Sequence, residues 1–156
     1  MHRRAFLLLL PGVAGCAGMT LRPDALDEAV RVEDLGLSFT PSGVGVLSLR
    51  LDVGNPTFWD AALTGVDFEL KLDGQRYAVG TRGVQEPLAS DARHTLAVSF
   101  PLRCEPTATE GRTRAWRVEV GGTVALAFGE RIRLLPFRAE RYLRLAHFRP
   151  LHLEPD

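Results

Sequence analysis

From Val30 onward, apolar and polar residues alternate singly. Leu47, Leu49, Leu51 and Val53 are separated by Ser48, Arg50 and Asp52. Val66, Phe68, Leu70 and Leu72 are separated by Asp67, Glu69 and Lys71, and Leu96, Val98, Phe100 and Leu102 repeat the pattern. A period of two sends successive side chains to opposite faces, so each run predicts a strand with one buried side. About seven or eight such runs, frequent turn residues and little helical periodicity predict an antiparallel all-β domain. A sandwich fits this pattern better than a barrel. The chain has 156 residues, 46% of them hydrophobic, enough for one domain with a sizeable core.

The interruptions predict the registers. Val30 and Val32 lie in one phase and Leu35, Leu37 and Phe39 in the other, which predicts a bulge or break at Glu33-Asp34. Pro41-Ser42-Gly43 is a turn, and Asn55-Pro56 ends the next strand because proline lacks an amide hydrogen. Asp73-Gly74 suits a two-residue type I′ hairpin, which would pair Leu72 with Gln75, Leu70 with Tyr77 and Phe68 with Val79. Trp116, Val118, Val120, Val124, Leu126 and Phe128 keep one phase through Gly121-Gly122, so one long strand with a glycine bend is expected there. At Gly129 a three-residue loop would place Phe128 opposite Ile132 and Leu126 opposite Leu134. Leu143, Leu145, Leu151 and Leu153 predict short alternating pieces at the end.

The central motifs resemble the WHy domain of late embryogenesis abundant type 2 proteins. They comprise Leu47–Val53 ending in Asn55-Pro56, the apolar connection from Phe58 to Leu63, and Val66–Leu72 with Gly74. Ala78-Val79-Gly80, Pro87, Leu96–Leu102 and the aromatic start of Trp116–Leu126 follow in order. The likeness covers roughly residues 30–137, with a shorter Pro106–Ala115 link than family members often carry. It implies a fibronectin-like or immunoglobulin-like sandwich. It also implies stress or desiccation protection, or lipid handling, rather than catalysis.

Residues 1–15 have the layout of a secretory signal peptide: basic Arg3-Arg4, an apolar run from Ala5 to Leu10, then small residues. The apolar run is too short to span a bilayer as a helix. Val13-Ala14-Gly15-Cys16 resembles a bacterial lipobox, which implies that Cys16 becomes a diacylated N-terminus. Ala17 rather than Asp follows it, which favours the outer membrane, facing the periplasm. Residues 16–29 then form the lipidated N-terminus and tether, and residues 30–156 the WHy-like domain.

Little else in the chain suggests chemistry. No phosphate loop, nucleophile elbow or metal-spaced Cys/His set is present. No enzyme activity, cofactor or metal is therefore expected, and a formal charge of +0 offers nothing for nucleic acid. Ser90, Asp91 and His94 have triad residue types but share one loop, whereas a triad converges from separate places. His147, His152 and Glu154 are too few for a metal site. Cys104 continues the inward phase of the preceding strand and reads as a buried, inert thiol that never pairs with Cys16. Phe58 and Trp59 are expected to cap one end of the core. Arg131, Arg133, Arg138, Arg141, Arg144 and Arg149 read as the solvated side of edge strands, with anionic lipid as the functional alternative. The expected function is that of an envelope lipoprotein carrying a non-catalytic module. The alternatives are a lipid-binding or lipid-transfer module, holding an acyl chain between its sheets, and a structural subunit of an envelope complex.

Overall fold

The computed structural model describes residues 23–107 and 114–150. A five-residue helix, α1 (Pro23–Asp27), leads into seven strands. These are β1 (Val30–Phe39), β2 (Val44–Gly54), β3 (Ala61–Leu72), β4 (Gln75–Leu88), β5 (Arg93–Arg103), β6 (Ala115–Phe128) and β7 (Arg131–Arg144). They form two antiparallel sheets, ordered β1-β2-β5 and β4-β3-β6-β7. In the constant-type immunoglobulin arrangement the fourth strand joins the first sheet. Here β4 stays beside β3, which leaves the first sheet three strands wide.

The alternating runs supply both inner faces. Leu35, Leu47, Leu49, Leu51, Leu96, Val98 and Phe100 from one sheet are buried with Leu63, Val66, Phe68, Leu70, Val118, Val120, Val124 and Leu126 from the other. Phe68 and Phe100 meet at 4.3 Å between ring centroids. Each large side chain fully removed from water contributes about 1.5–3 kcal/mol, and this two-sided burial is what makes the alternation decisive for the fold.

Edges are handled by sequence. Pro87, Pro101 and Pro136 all fall in β4, β5 and β7, which are edge strands. A missing amide hydrogen is tolerated there and opposes pairing with another chain. Side chains bridge the seams between sheets. Arg82 donates to the Ser99 carbonyl at 2.8 Å and the Tyr77 hydroxyl to the Arg103 carbonyl, joining β4 to β5. Arg141 pairs with Asp34 at 3.0 Å and donates to the Glu33 carbonyl at 3.3 Å, joining β7 to β1. The β1 register shifts between Val32 and Asp34, at the expected bulge, and it is this displaced residue whose carbonyl meets Arg141.

Asp73 and Gly74 both adopt positive φ, 51° and 84°, as a type I′ turn requires, and Leu72 pairs with Gln75. Beyond that pair the expected register fails. Leu70 lies opposite Ala78 and Phe68 opposite Gly80, with a shift between Leu70 and Lys71. Apolar-to-apolar matching assumed that Val79 is inside, but it is exposed. The Phe68 ring occupies the space over Gly80, where an added Cβ would sit 2.5 Å from it. The bulged residue is Tyr77, whose ring turns to Phe39 and Phe148.

β6 runs unbroken through its two glycines, as expected. A Cβ at Gly122 would lie 2.0 Å from the Asp67 carbonyl oxygen, so the backbone of β3 needs that side-chain-free position. The β6–β7 turn has two residues rather than three. Phe128 pairs with Arg131 and Leu126 with Arg133, so Val124 meets Leu135 and Gly122 meets Phe137. The inward phase of β7 thus starts with two arginines at the open end and becomes apolar only at Leu135. Ile132 and Leu134 face outward and are exposed.

β7 runs without a break to Arg144, so Leu143, expected in a short separate piece, belongs to this long strand. After it the chain folds across the far end of the sandwich. Leu145 is buried, and Phe148 lies 4.8 Å from Phe39, 5.4 Å from Tyr77 and 4.9 Å from Trp116 between ring centroids. Leu151 and Leu153 lie outside the described residues.

Candidate functional site

The Asn55-Pro56 break is a structural knot. Asn55 is 1% exposed and Thr57 6%. The two hydrogens of the Asn55 amide are shared among the carbonyls of Trp59 (2.7 Å), Ala89 (3.1 Å) and Leu88 (3.3 Å). Its Oδ1 accepts from the Thr57 amide at 3.1 Å and the Thr57 hydroxyl at 2.7 Å. Backbone bonds from Asn55 to Ala92 and from Asp91 to Thr57 complete it. One side chain thus ties the β2–β3 connection to the β4–β5 connection, and a buried amide is stable because its donors and acceptors are met. Sequence reasoning saw the local turn but missed Thr57 as partner; a Thr two residues after an Asn is the signal that marks it.

The knot shapes the same end of the sandwich from which α1 leads back along the chain. Because Asn55 and Thr57 hold the loop from both sides, the residues after them are pushed outward. Phe58 is 68% exposed and Trp59 67%, which overturns the expectation that they cap the core. Leu26 and Phe128 perform part of that covering. Leu26, Thr57, Trp59, Asp60, Phe128, Arg131 and Arg133 line an open depression of about 460 Å³. Asp60 is partly engaged, accepting from the Ser90 amide at 2.9 Å.

The remaining candidates are dispersed. Ser90, Asp91 and His94 stay on their loop and the start of β5, where His94 contacts Glu86. Asp91 adopts φ 53° in the turn, and no nucleophile–base pair forms there. The arginines are spread along β7, with Arg149 in the segment that follows it. Arg138 pairs with Glu119 at 3.4 Å, Arg141 with Asp34 and Arg149 with Glu105 at 3.8 Å, while Arg131 and Arg133 stand at the open end. Cys104 is buried, its thiol near the carbonyls of Glu105 and His147 at 3.5 and 3.6 Å. Among the described residues no group of three His, Cys, Asp or Glu side chains gathers as metal ligands. Cys16, His152 and Glu154 lie outside the described residues.

The chain is therefore an antiparallel β-sandwich whose most distinctive polar cluster serves the fold. Neither a protein-family model nor a curated protein matches it in sequence. Solved structures do match in fold. The solution structure of AT1g01470 from Arabidopsis thaliana is similar at a TM-score of 0.61 and 12% identity, covering 76% of this chain and 82% of that one. A candidate late embryogenesis abundant (LEA) protein, At2g46140.1, aligns at 0.52 and 13%, covering 74% and 70% respectively. A protein from Archaeoglobus fulgidus aligns at 0.53 and 12%, covering 73% and 97%. At these identities the likeness is one of fold.

Proposed function

We propose that the chain is a lipid-anchored envelope protein whose sandwich is a non-catalytic module of the stress-protective, LEA-like kind. The observation that carries the anchor is Val13-Ala14-Gly15-Cys16 directly after a basic and apolar start. The fold shared with an LEA candidate and with the WHy resemblance supports the protective role. The occupied knot at Asn55 and the dispersed His, Ser and Asp side chains support a module without catalysis. Two or more acyl chains give firm attachment, at about 0.8 kcal/mol per buried methylene. Holding an acyl chain between the sheets is disfavoured by the filled core, since it would have to displace packed side chains such as Phe68 and Phe100.

Metabolic labelling with a clickable fatty acid tests the anchor: wild type takes the label and Cys16→Ser does not. A deletion strain should survive drying less well, with rescue by wild type and not by Cys16→Ser. Label retained by Cys16→Ser, or unchanged survival in the deletion strain, counts against the corresponding half of the reading.

A further inference from the structure

We propose that the end of the sandwich carrying Phe58 and Trp59 lies against the phospholipid bilayer and inserts these rings at its interface. The inference rests on the lipid-anchor reading and adds an orientation and a contact surface to it. Three observations carry it. First, the chain preceding α1 is attached at this end, because Leu26 lines the same depression as Trp59 and Phe128. Seven residue steps separate Cys16 from Pro23, so an acylated Cys16 keeps this end within roughly 25 Å of the membrane surface. Second, two adjacent aromatic side chains are about two-thirds exposed there, 68% and 67%, on a loop whose base is fixed by the buried Asn55 and Thr57. Indole and phenyl rings partition to the boundary between headgroups and acyl chains, where an amphipathic ring meets both. Third, Ile132 and Leu134, on the outer face of β7 just past the turn at this end, add apolar side chains that are 61% and 62% exposed.

Charge plays a smaller part. Arg131 and Arg133 border Trp59, but Asp60 shares the depression and Glu130 sits in the adjoining turn. Two positive charges set against two negative ones leave little net attraction to anionic lipid. Contact is thus driven by ring insertion and is insensitive to salt, since screening acts on net charge.

The chain contains two tryptophans, Trp59 at this end and Trp116 in the aromatic cluster at the other, which supplies an internal control. The full-length lipidated protein is reconstituted into phosphatidylethanolamine/phosphatidylglycerol vesicles whose acyl chains carry bromine. Trp116→Phe leaves Trp59 as sole reporter, and Trp59→Phe leaves Trp116. Trp59 should be quenched at least threefold more than Trp116, equally in low and high salt. Phe58→Ser in the Trp116→Phe background should cut that quenching by half or more while co-flotation with vesicles persists. Equal quenching of the two tryptophans, or no quenching in protein that floats, overturns the orientation and leaves the anchor standing. Protein that fails to float overturns both. Trp59 shielded from iodide in the absence of vesicles identifies a second copy as the occupant and also overturns the proposal. Circular dichroism of each variant confirms that the fold is retained.

Discussion

Asn55 contributes a buried side-chain amide that both donates and accepts. Its nitrogen serves three carbonyls while its oxygen accepts from Thr57, and the site is closed to water. Asn55→Ala strands those groups, and each buried orphan costs about 1–3 kcal/mol. The expected loss is about 3 kcal/mol or more, read as a lower urea midpoint at unchanged slope. Asn55→Asp supplies only acceptors when ionised, so it should be at least as damaging at pH 7 and less so in acid, where the carboxyl regains one donor. Part of this was legible in the sequence, since an Asn before Pro is a turn signal. What the residue types do not carry is that the bonded carbonyls belong to Leu88 and Ala89, 33 and 34 positions away. The same omission misplaced Phe58 and Trp59: two large apolar side chains look like core until the loop beneath them proves to be filled by polar ones.

Strand identity followed from alternation because two-sided burial enforces it. Register did not, because Tyr77 and the β6–β7 turn are governed by contacts between sheets. The inserted residue at Tyr77 lets its ring join Phe39 and Phe148 and its hydroxyl reach the Arg103 carbonyl on β5. Burial, with a smaller contribution from Cys104, pushes the Tyr77 hydroxyl up to about 12 from its ordinary 10.0. The folded chain therefore keeps a proton that the unfolded chain loses between those values. This contribution is complete below pH 10 and is lost as pH rises towards 12. Urea midpoints at pH 9 and pH 11 should show a decline that Tyr77→Phe reduces; an undiminished slope in that variant would show that other groups set it. On the outer face of β3, Glu69 is held below the usual carboxylate range chiefly by its hydrogen bond to Lys71 and further by Arg76, against a desolvation that pushes the other way. Those contacts are solvent-exposed, and surface pairs contribute little.

Taken whole, the seven described strands close through three hairpins, β1–β2, β3–β4 and β6–β7, and two pairings that join distant parts of the chain. β2 pairs with β5 after the chain has passed through β3 and β4, and β3 pairs with β6 after β4 and β5. Loop closure must precede such contacts, so refolding is expected on the order of milliseconds to seconds. Stopped-flow tryptophan fluorescence checks this, and a microsecond phase carrying most of the amplitude would contradict it. An odd strand count also separates the two ends of the described chain. α1 enters at the Trp59 end, and β7 delivers Phe148 to the opposite one. Fourteen residues of β7 span roughly 45 Å at strand rise. A pull between the two ends would therefore run along the strands, shearing the β1–β2 ladder lengthwise rather than unzipping it bond by bond.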